Sequence, residues 1–207
     1  MSIVNGYATL AEFKVRIDPS SALGTGSDSV LEAVIEAASR AIDYVCGRRI
    51  YTATETRTYT AEYGDLLFID DLVSLTTLKT DESGDGTYEL TWSSTDYLLE
   101  PANAQVPAAN KEPYTQIRVN PHRGIYSFPT GIYNGVQIAG SFGYAATTPD
   151  LVNEACLLIA SRFNRRKDAP FGVVGAGELG QMMVIASKDP DVQLCLSGYK
   201  RRYVVAV

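Results

Sequence analysis

The sequence predicts an α+β protein: a small helical bundle built from residues 1–48 and 145–207, with a mainly antiparallel β insertion over 49–144. Three observations predict it. Apolar residues recur at helical spacing between Val30 and Val45. Short runs rich in Thr, Tyr, Val and Ile fill the middle third. A proline-led apolar segment then opens at Thr148. With 207 residues, 45% of them apolar and 20% charged, the chain is long enough for a packed core and is not a disordered polymer.

Taken in order, Thr9-Leu10-Ala11-Glu12 forms a capping box that starts a short helix, which stops before Pro19. Residues 20–27 read as a loop, with Gly24 and Gly26. A stronger helix begins near Asp28 or Ser29, where Ser29 and Glu32 form a second capping box. Val30, Leu31, Val34, Ile35, Ala38, Ala41, Ile42 and Val45 draw its apolar stripe, and Gly47 ends it. Glu36 and Arg40 fall outside the stripe as an i,i+4 pair.

The pattern then changes period. Thr54–Thr60, Leu66–Ile69, Val73–Thr80, Tyr88–Trp92, Gln116–Val119 and Val136–Phe142 read as strands. Asp70-Asp71 reads as a solvated strand end. Residues 83–86 (Ser-Gly-Asp-Gly) turn one hairpin and Asn134-Gly135 another, through a type I′ turn. Pro101 to Pro113 reads as a mobile loop. Thr148 then caps a helix with Pro149 at its first position. Leu151 to Phe163 is apolar nearly all round, which predicts a buried central helix. Arg162, Arg165, Arg166 and Lys167 crowd its end, where cations complement the helix dipole. A glycine-rich link, 171–180, precedes a last helix starting at Asp189-Pro190, with Val192, Cys195, Leu196 and Tyr199 facing inward.

Acidic residues outnumber basic ones by 24 to 18, a formal net charge of −6. Residues 1–150 hold 10 Lys/Arg against 19 Asp/Glu, and residues 151–207 hold 8 against 5. An acidic body with a basic end argues against a protein that grips nucleic acid over its whole surface. No stretch approaches the run of about 18 apolar residues that a membrane span requires. The first ten residues have no basic start and no signal-peptide core, so export by that route is not expected. Cys46, Cys156 and Cys195 form no CxxC pair and read as buried free thiols of a reducing compartment. With His122 as the only histidine, neither a His-based metal site nor Ser/Cys–His catalysis is expected.

The chemical motifs are incomplete. Gly175, Gly177 and Gly180 match GxGxxG. That fingerprint works between a buried strand and a long helix, with an acidic residue about 20 positions later. That position is Lys200, and no second parallel strand fits before residue 207, so an assembly loop or hinge is the expected role. Asp81 to Gly86 begins like a calcium loop, but its twelfth position is Trp92 rather than Glu. No GxxxxGK[ST] phosphate loop, GxSxG nucleophile turn or HExxH zinc-protease motif is present. The basic clusters at 162–167 and 200–202 read either as helix-end charge or as an electrostatic arm. The apolar end after Arg202, starting at Tyr203, favours docking into a partner or onto a neighbour's sheet edge.

Three segments resemble one family. They are the helix Asp28–Gly47 followed by Arg48-Arg49-Ile50-Tyr51; Gly143-Tyr144 with Thr148-Pro149-Asp150-Leu151 and the end Arg162-Phe163-Asn164-Arg165-Arg166; and Asp189-Pro190-Asp191-Val192 with Leu196 and Tyr199-Lys200-Arg201-Arg202. In order and spacing they are similar to the head–tail connector (adaptor, or head-completion) proteins of long-tailed bacteriophages. They cover both helical ends, roughly half the chain. The β region is longer than minimal members need.

The resemblance implies a structural virion protein without catalysis or cofactor. It implies a ring, commonly dodecameric, between the portal and a stopper, neck or tail protein. Such a ring extends the channel through which genome DNA passes without sequence-specific binding. It implies residence in the virion neck, with host cytoplasm as the place of assembly and no membrane. By analogy the portal contact falls on Tyr199, Lys200, Arg201, Arg202 and Tyr203, with Gly175, Gly177 and Gly180 as a loop that reorders on assembly. Three alternatives stay open: another virion ring such as a tail-terminator or tail-completion protein, a nucleotide-binding enzyme using 175–180, and, more distantly, a sugar-binding β module.

Overall fold

In the computed structural model of the chain, the described residues are 3–20, 24–105, 111–123, 125–166 and 189–201. Four helices and six strands follow one another as α1 (Leu10–Ile17), α2 (Asp28–Cys46), β1 (Ala53–Tyr59), β2 (Leu66–Thr80), β3 (Leu90–Thr91), β4 (Tyr97–Glu100), β5 (Tyr114–Val119), β6 (Val136–Phe142), α3 (Asp150–Arg166) and α4 (Pro190–Leu196). The class is therefore α+β. The chain divides into a helical unit, Met1–Arg48 with Thr148–Val207, and a sheet unit, Arg49–Thr147. No described helix is long and apolar enough to cross a membrane.

In the helical unit, α3 packs against α2, α1 and α4, and α1 also touches α2. The capping box of α1 forms: Thr9 Oγ1 accepts from the Glu12 amide at 3.2 Å, and the Glu12 carboxylate accepts from the Thr9 amide at 2.7 Å. Leu31, Ile35, Ala38, Ile42 and Cys46 bury one face of α2, as the periodicity predicts. Gly47 ends the helix in the left-handed region at φ 64. The second capping box does not set the start of α2. A 3-10 turn, Thr25–Ser27, runs straight into the helix, so Ser27 is the cap residue and Ser29 lies within the first turn. Helix α3 is not buried all round. Val152, Ala155, Cys156, Leu157 and Ala160 are buried, but Leu151 and Phe163 are exposed.

The sheet is antiparallel, ordered β1-β6-β2-β5-β4, with β3 beside β2. The two runs expected as separate strands are one 15-residue strand, β2. Its first half pairs with β5 and its second with β6, with register shifts around Leu72 that bend it between the two partners. Asp70-Asp71 is consequently the middle of a strand, not a solvated end. Tyr88–Trp92 contributes only the two-residue β3, and β4 was not expected. Asn134-Gly135 turns no hairpin: β6 pairs with β1 and β2, not with the strand before it in sequence. Asn134 has positive φ, its amide donates to Thr60 Oγ1 at 2.9 Å, and the Gly135 carbonyl accepts from Asp81 at 2.8 Å. The pair thus anchors the entry to β6.

Leu67, Leu72, Leu78, Ile117, Ile138 and Phe142 form the centre of the sheet core. At its margin Trp92 stacks on Phe128, with ring centroids 4.9 Å apart, and donates through its indole N–H to Thr80 Oγ1 at 3.1 Å.

Candidate functional site

The one predicted partner site that falls partly on described residues lies at the end of α4. Asp189 caps that helix by accepting from the Asp191 amide at 3.0 Å, and Pro190 occupies its first turn. The same carboxylate lies 3.2 Å from an Arg162 guanidinium nitrogen, joining α4 to the last turns of α3. Val192 and Leu196, four residues apart, bury one side of α4, whereas Leu194, two residues from each, is 75% exposed. A 3-10 turn, Ser197–Tyr199, follows.

Tyr199 is half-buried there. Burial and the negative charge of Asp150 push its hydroxyl pKa above the ordinary value. The Lys200 ammonium donates to Gln193 Oε1 at 2.7 Å, seven residues back on α4. The Arg201 amide donates to the Cys46 carbonyl at 2.8 Å. That carbonyl is one of the groups an α-helix leaves without an internal partner at its C-terminus. Positive residues 200 and 201 thereby stand at the negative end of the α2 dipole. The segment is anchored at Arg201. Arg202, Tyr203, Gly175, Gly177 and Gly180 lie outside the described residues.

The other basic cluster also divides. Arg162 is committed to Asp189, while Arg165 and Arg166 are exposed on the last turn of α3. Cys46 and Cys156 are buried and Cys195 is half-buried; all three are free. Burial, reinforced by Asp43, pushes the Cys46 thiol up to about 11, so it is a packing residue rather than a nucleophile.

The acidic groups of the sheet are engaged in structure. Asp81, Asp85 and Glu89 bring carboxylate oxygens within 4.8 Å of one another. Asp81 nevertheless accepts from the amides of Ser83, Gly84 and Gly86 at 3.1, 2.6 and 2.8 Å. Desolvation opposes its charge, but these amide bonds outweigh it and hold the carboxyl below its ordinary pKa. The cluster is the wiring of a hairpin tip. Asp70 is 2.8 Å from Arg57, which grips Glu55 at 2.7 and 3.0 Å and lies over the Phe142 ring at 4.4 Å. Arg49 holds the other Glu55 oxygen at 2.7 Å, so that Glu55 falls to about 2 under Arg49 and Arg57. This ladder braces β1 against β2.

A hollow of about 780 Å³ opens beside the starts of α1 and α3, lined by Tyr7, Glu12, Asp150, Asn153 and Glu154 among others. Its two glutamates are likewise engaged. Glu12 closes the capping box, and Glu154 takes both nitrogens of the Arg16 fork at 2.7 and 2.8 Å. Sequence reasoning missed a strap over α2. There the Val4 amide donates to Glu36 at 3.2 Å, Arg40 donates to the Asn5 carbonyl at 2.9 Å, the Tyr7 amide donates to Ser39 Oγ at 3.0 Å, and the Tyr7 hydroxyl donates to Asp43. Tyr7 and the charged row at 36, 40 and 43 were its only traces.

No protein-family model and no curated protein matches the sequence. Solved structures do share the fold. A chain from the neck of an empty GTA particle, computed with C6 symmetry, aligns at a TM-score of 0.61 and 17% identity over 100% of this chain and 96% of its own length. One from the neck of a native GTA particle, computed with C12 symmetry, gives 0.59 at 16% identity over the same shares. A third, from the virion of a native gene transfer agent particle, gives 0.58 at 17%. At these identities the likeness is one of fold, and it runs through both units from end to end.

Proposed function

We propose that this chain is a non-catalytic structural subunit of the neck of a phage-like virion. It assembles with copies of itself into a ring, dodecameric in the finished particle, between the portal and the next neck or tail protein. The observation that supports this reading is the whole-length fold match, 100% of this chain against 96% of chains from particle necks. Chains from an unrelated enzyme class would not be expected to share both the helical unit and the sheet inserted in it.

In this reading the end of α4 is the portal contact. Tyr199, Lys200 and Arg201 leave the bundle at a point pinned to Cys46, and Arg202 and Tyr203 carry the charge and the aromatic ring onward to the partner. The glycines 175, 177 and 180 supply a loop that reorders on assembly. The sheet unit carries 6 Lys/Arg against 12 Asp/Glu, a surface that repels phosphate and suits a conduit through which DNA slides. Electron microscopy of the purified protein, alone and mixed with its portal, tests the proposal. A ring stacked on the portal is expected. A chain that neither oligomerises nor binds the portal would end it, and binding to tail tube instead would move it to a tail-terminator role.

A further inference from the structure

Strand β1 ends the sheet, and its two sides are unlike. The Gly143 amide, one residue past β6, donates to the Asp71 carbonyl at 2.8 Å, and the Gly135 carbonyl, one residue before β6, accepts from the Asp81 amide at 2.8 Å. Odd-numbered residues of β6 therefore turn their backbone groups to the β2 side and even-numbered ones to β1, since successive residues of a strand alternate. The even-numbered residues meet Ala53, Glu55, Arg57 and Tyr59, in a register without shifts. Thr54, Thr56 and Thr58 are left with N–H and C=O directed away from the sheet, and no described residue pairs with them.

Such an edge is a template for another strand unless it is short, bulged, charged or broken by proline. The opposite edge is guarded in this way: β4 has four residues, runs straight into Pro101, and its Glu100 is paired with Arg118 at 2.9 Å. β1 has seven residues, no proline and no bulge, and the residues whose backbone faces outward are uncharged threonines. Its two charged side chains, Glu55 and Arg57, are held by Arg49, Asp70 and the Phe142 ring. A strand laid along this edge meets no unpaired charge.

The chain contains a strand-forming segment of the same length. Residues 167–188 lie outside the described residues. Within them 181–187 reads Gln-Met-Met-Val-Ile-Ala-Ser, seven residues without charge, glycine or proline and with β-branched Val184 and Ile185 at the centre. Gly172, Gly175, Gly177 and Gly180 precede it. These 22 residues leave α3 after Arg166 and return at Asp189, whose carboxylate is 3.2 Å from Arg162 on the last turns of α3. A loop that comes back to its starting point can extend about 35 Å at full stretch, far enough to reach the next copy in an assembly.

We propose that residues 181–187 of one copy lie along β1 of the next as an added strand. Main-chain hydrogen bonds to the outward groups of Thr54, Thr56 and Thr58 would hold it. Donor segment and receiving edge are different parts of the chain, so the contact is heterologous, the kind that closes into a ring when the rotation per copy is right. The inference rests on the ring reading above and names the surface onto which its glycine loop reorders.

Two variants test it, Thr56→Pro on the edge and Val184→Pro in the donor segment. The Thr56 amide points away from β6, so proline there removes no rung between the two strands. Unchanged far-UV ellipticity and tryptophan emission establish that each variant folds. Under conditions where the wild-type chain forms rings, each variant alone is expected to sediment as a monomer. Mixed in equal amounts they should form a dimer and nothing larger, because one intact donor segment and one intact edge remain. Rings from either variant alone, or no dimer on mixing, would overturn the assignment while leaving the ring reading in place. Hydrogen exchange across residues 53–59 of the wild-type chain reads the same contact without any substitution. The outward amides should exchange freely in the monomer and become protected in the ring. Rings in which they stay unprotected would overturn the assignment, and so would protection already present in the monomer, which would give the edge to the chain's own segment. Protection lost on deleting residues 203–207 would give the edge to the C-terminal end, and protection that appears only with the portal would give it to a portal strand; either overturns the assignment. A wild-type chain that never assembles, even on its portal, removes the ring reading and this inference with it.

Discussion

The helical unit holds 12 basic and 12 acidic residues, whereas the sheet unit holds 6 against 12, so the whole net charge of −6 belongs to the sheet. A division at residue 150 blurred this by adding the N-terminal helices to the sheet. The two units are also held together differently. The helices meet through apolar rows, joined at their edges by single ion pairs, Arg16–Glu154 between α1 and α3 and Arg162–Asp189 between α3 and α4. The sheet adds an aromatic stack and an arginine–carboxylate ladder to its apolar core. The helical unit is thus electrically balanced, and the excess negative charge is confined to the sheet unit. The contrast can be measured because the single tryptophan, Trp92, lies in the sheet unit, while the α-helices that dominate far-UV ellipticity lie in the helical unit.

The largest effect is expected from Phe128→Ala. Phe128 is 2% exposed and stacks on Trp92, so its removal should cost the sheet unit about 3–5 kcal/mol. Denaturant unfolding followed by Trp92 emission reads this directly. A loss under about 1 kcal/mol would mean that the stack is not part of what holds the sheet.

Gly143→Ala comes next. Gly143 has φ +144, and a Cβ there would stand 2.1 Å from the Tyr51 carbonyl oxygen. Backbone strain and the collision together should cost about 3 kcal/mol, again visible in Trp92 emission. Wild-type stability in this variant would show that the exit from β6 can shift at little expense.

The third test is electrostatic. Glu55 is held at about 2 by Arg49 and Arg57, against an ordinary 4.5. A carboxyl whose pKa is depressed by folding contributes stability that is fully present above its unfolded value and is lost as pH falls through the folded one. Glu55→Gln should therefore destabilise the sheet by about 1 kcal/mol near neutrality, the pair being partly solvated. It should also flatten the acid dependence between pH 4.5 and 2. An acid profile identical to wild type would show that Glu55 is not the titrating brace.

What the sequence revealed of this contrast follows from which forces are local. The stripe of α2, the Thr9–Glu12 box and the extent of β6 depend on neighbours within a turn or a pleat, and all three were legible. Asp70-Asp71 read as a break because two adjacent carboxylates rarely cross a sheet. The partner that holds Asp70, Arg57, comes from another strand. β4 was missed because Tyr97-Leu98-Leu99-Glu100 shows no alternation and owes its conformation to β5. At the candidate site the basic and aromatic residues were legible as a cluster. Their anchoring was not, since Arg201 finds Cys46 across 155 positions of chain.

The smallest effect decides whether the comparison itself holds. Thr9→Ala removes the side-chain acceptor of the α1 capping box and should cost about 1 kcal/mol, while Thr9→Ser should keep most of it. Thr9→Ala also loosens the hold on the Glu12 carboxyl, which the Thr9 amide and, less strongly, its hydroxyl keep below the ordinary pKa, because only the amide bond survives the substitution. If the units unfold separately, the ellipticity transition shifts and the Trp92 transition stays in place. If both move by the same amount, the chain melts as one cooperative block. The division would then describe chemistry and charge, not stability.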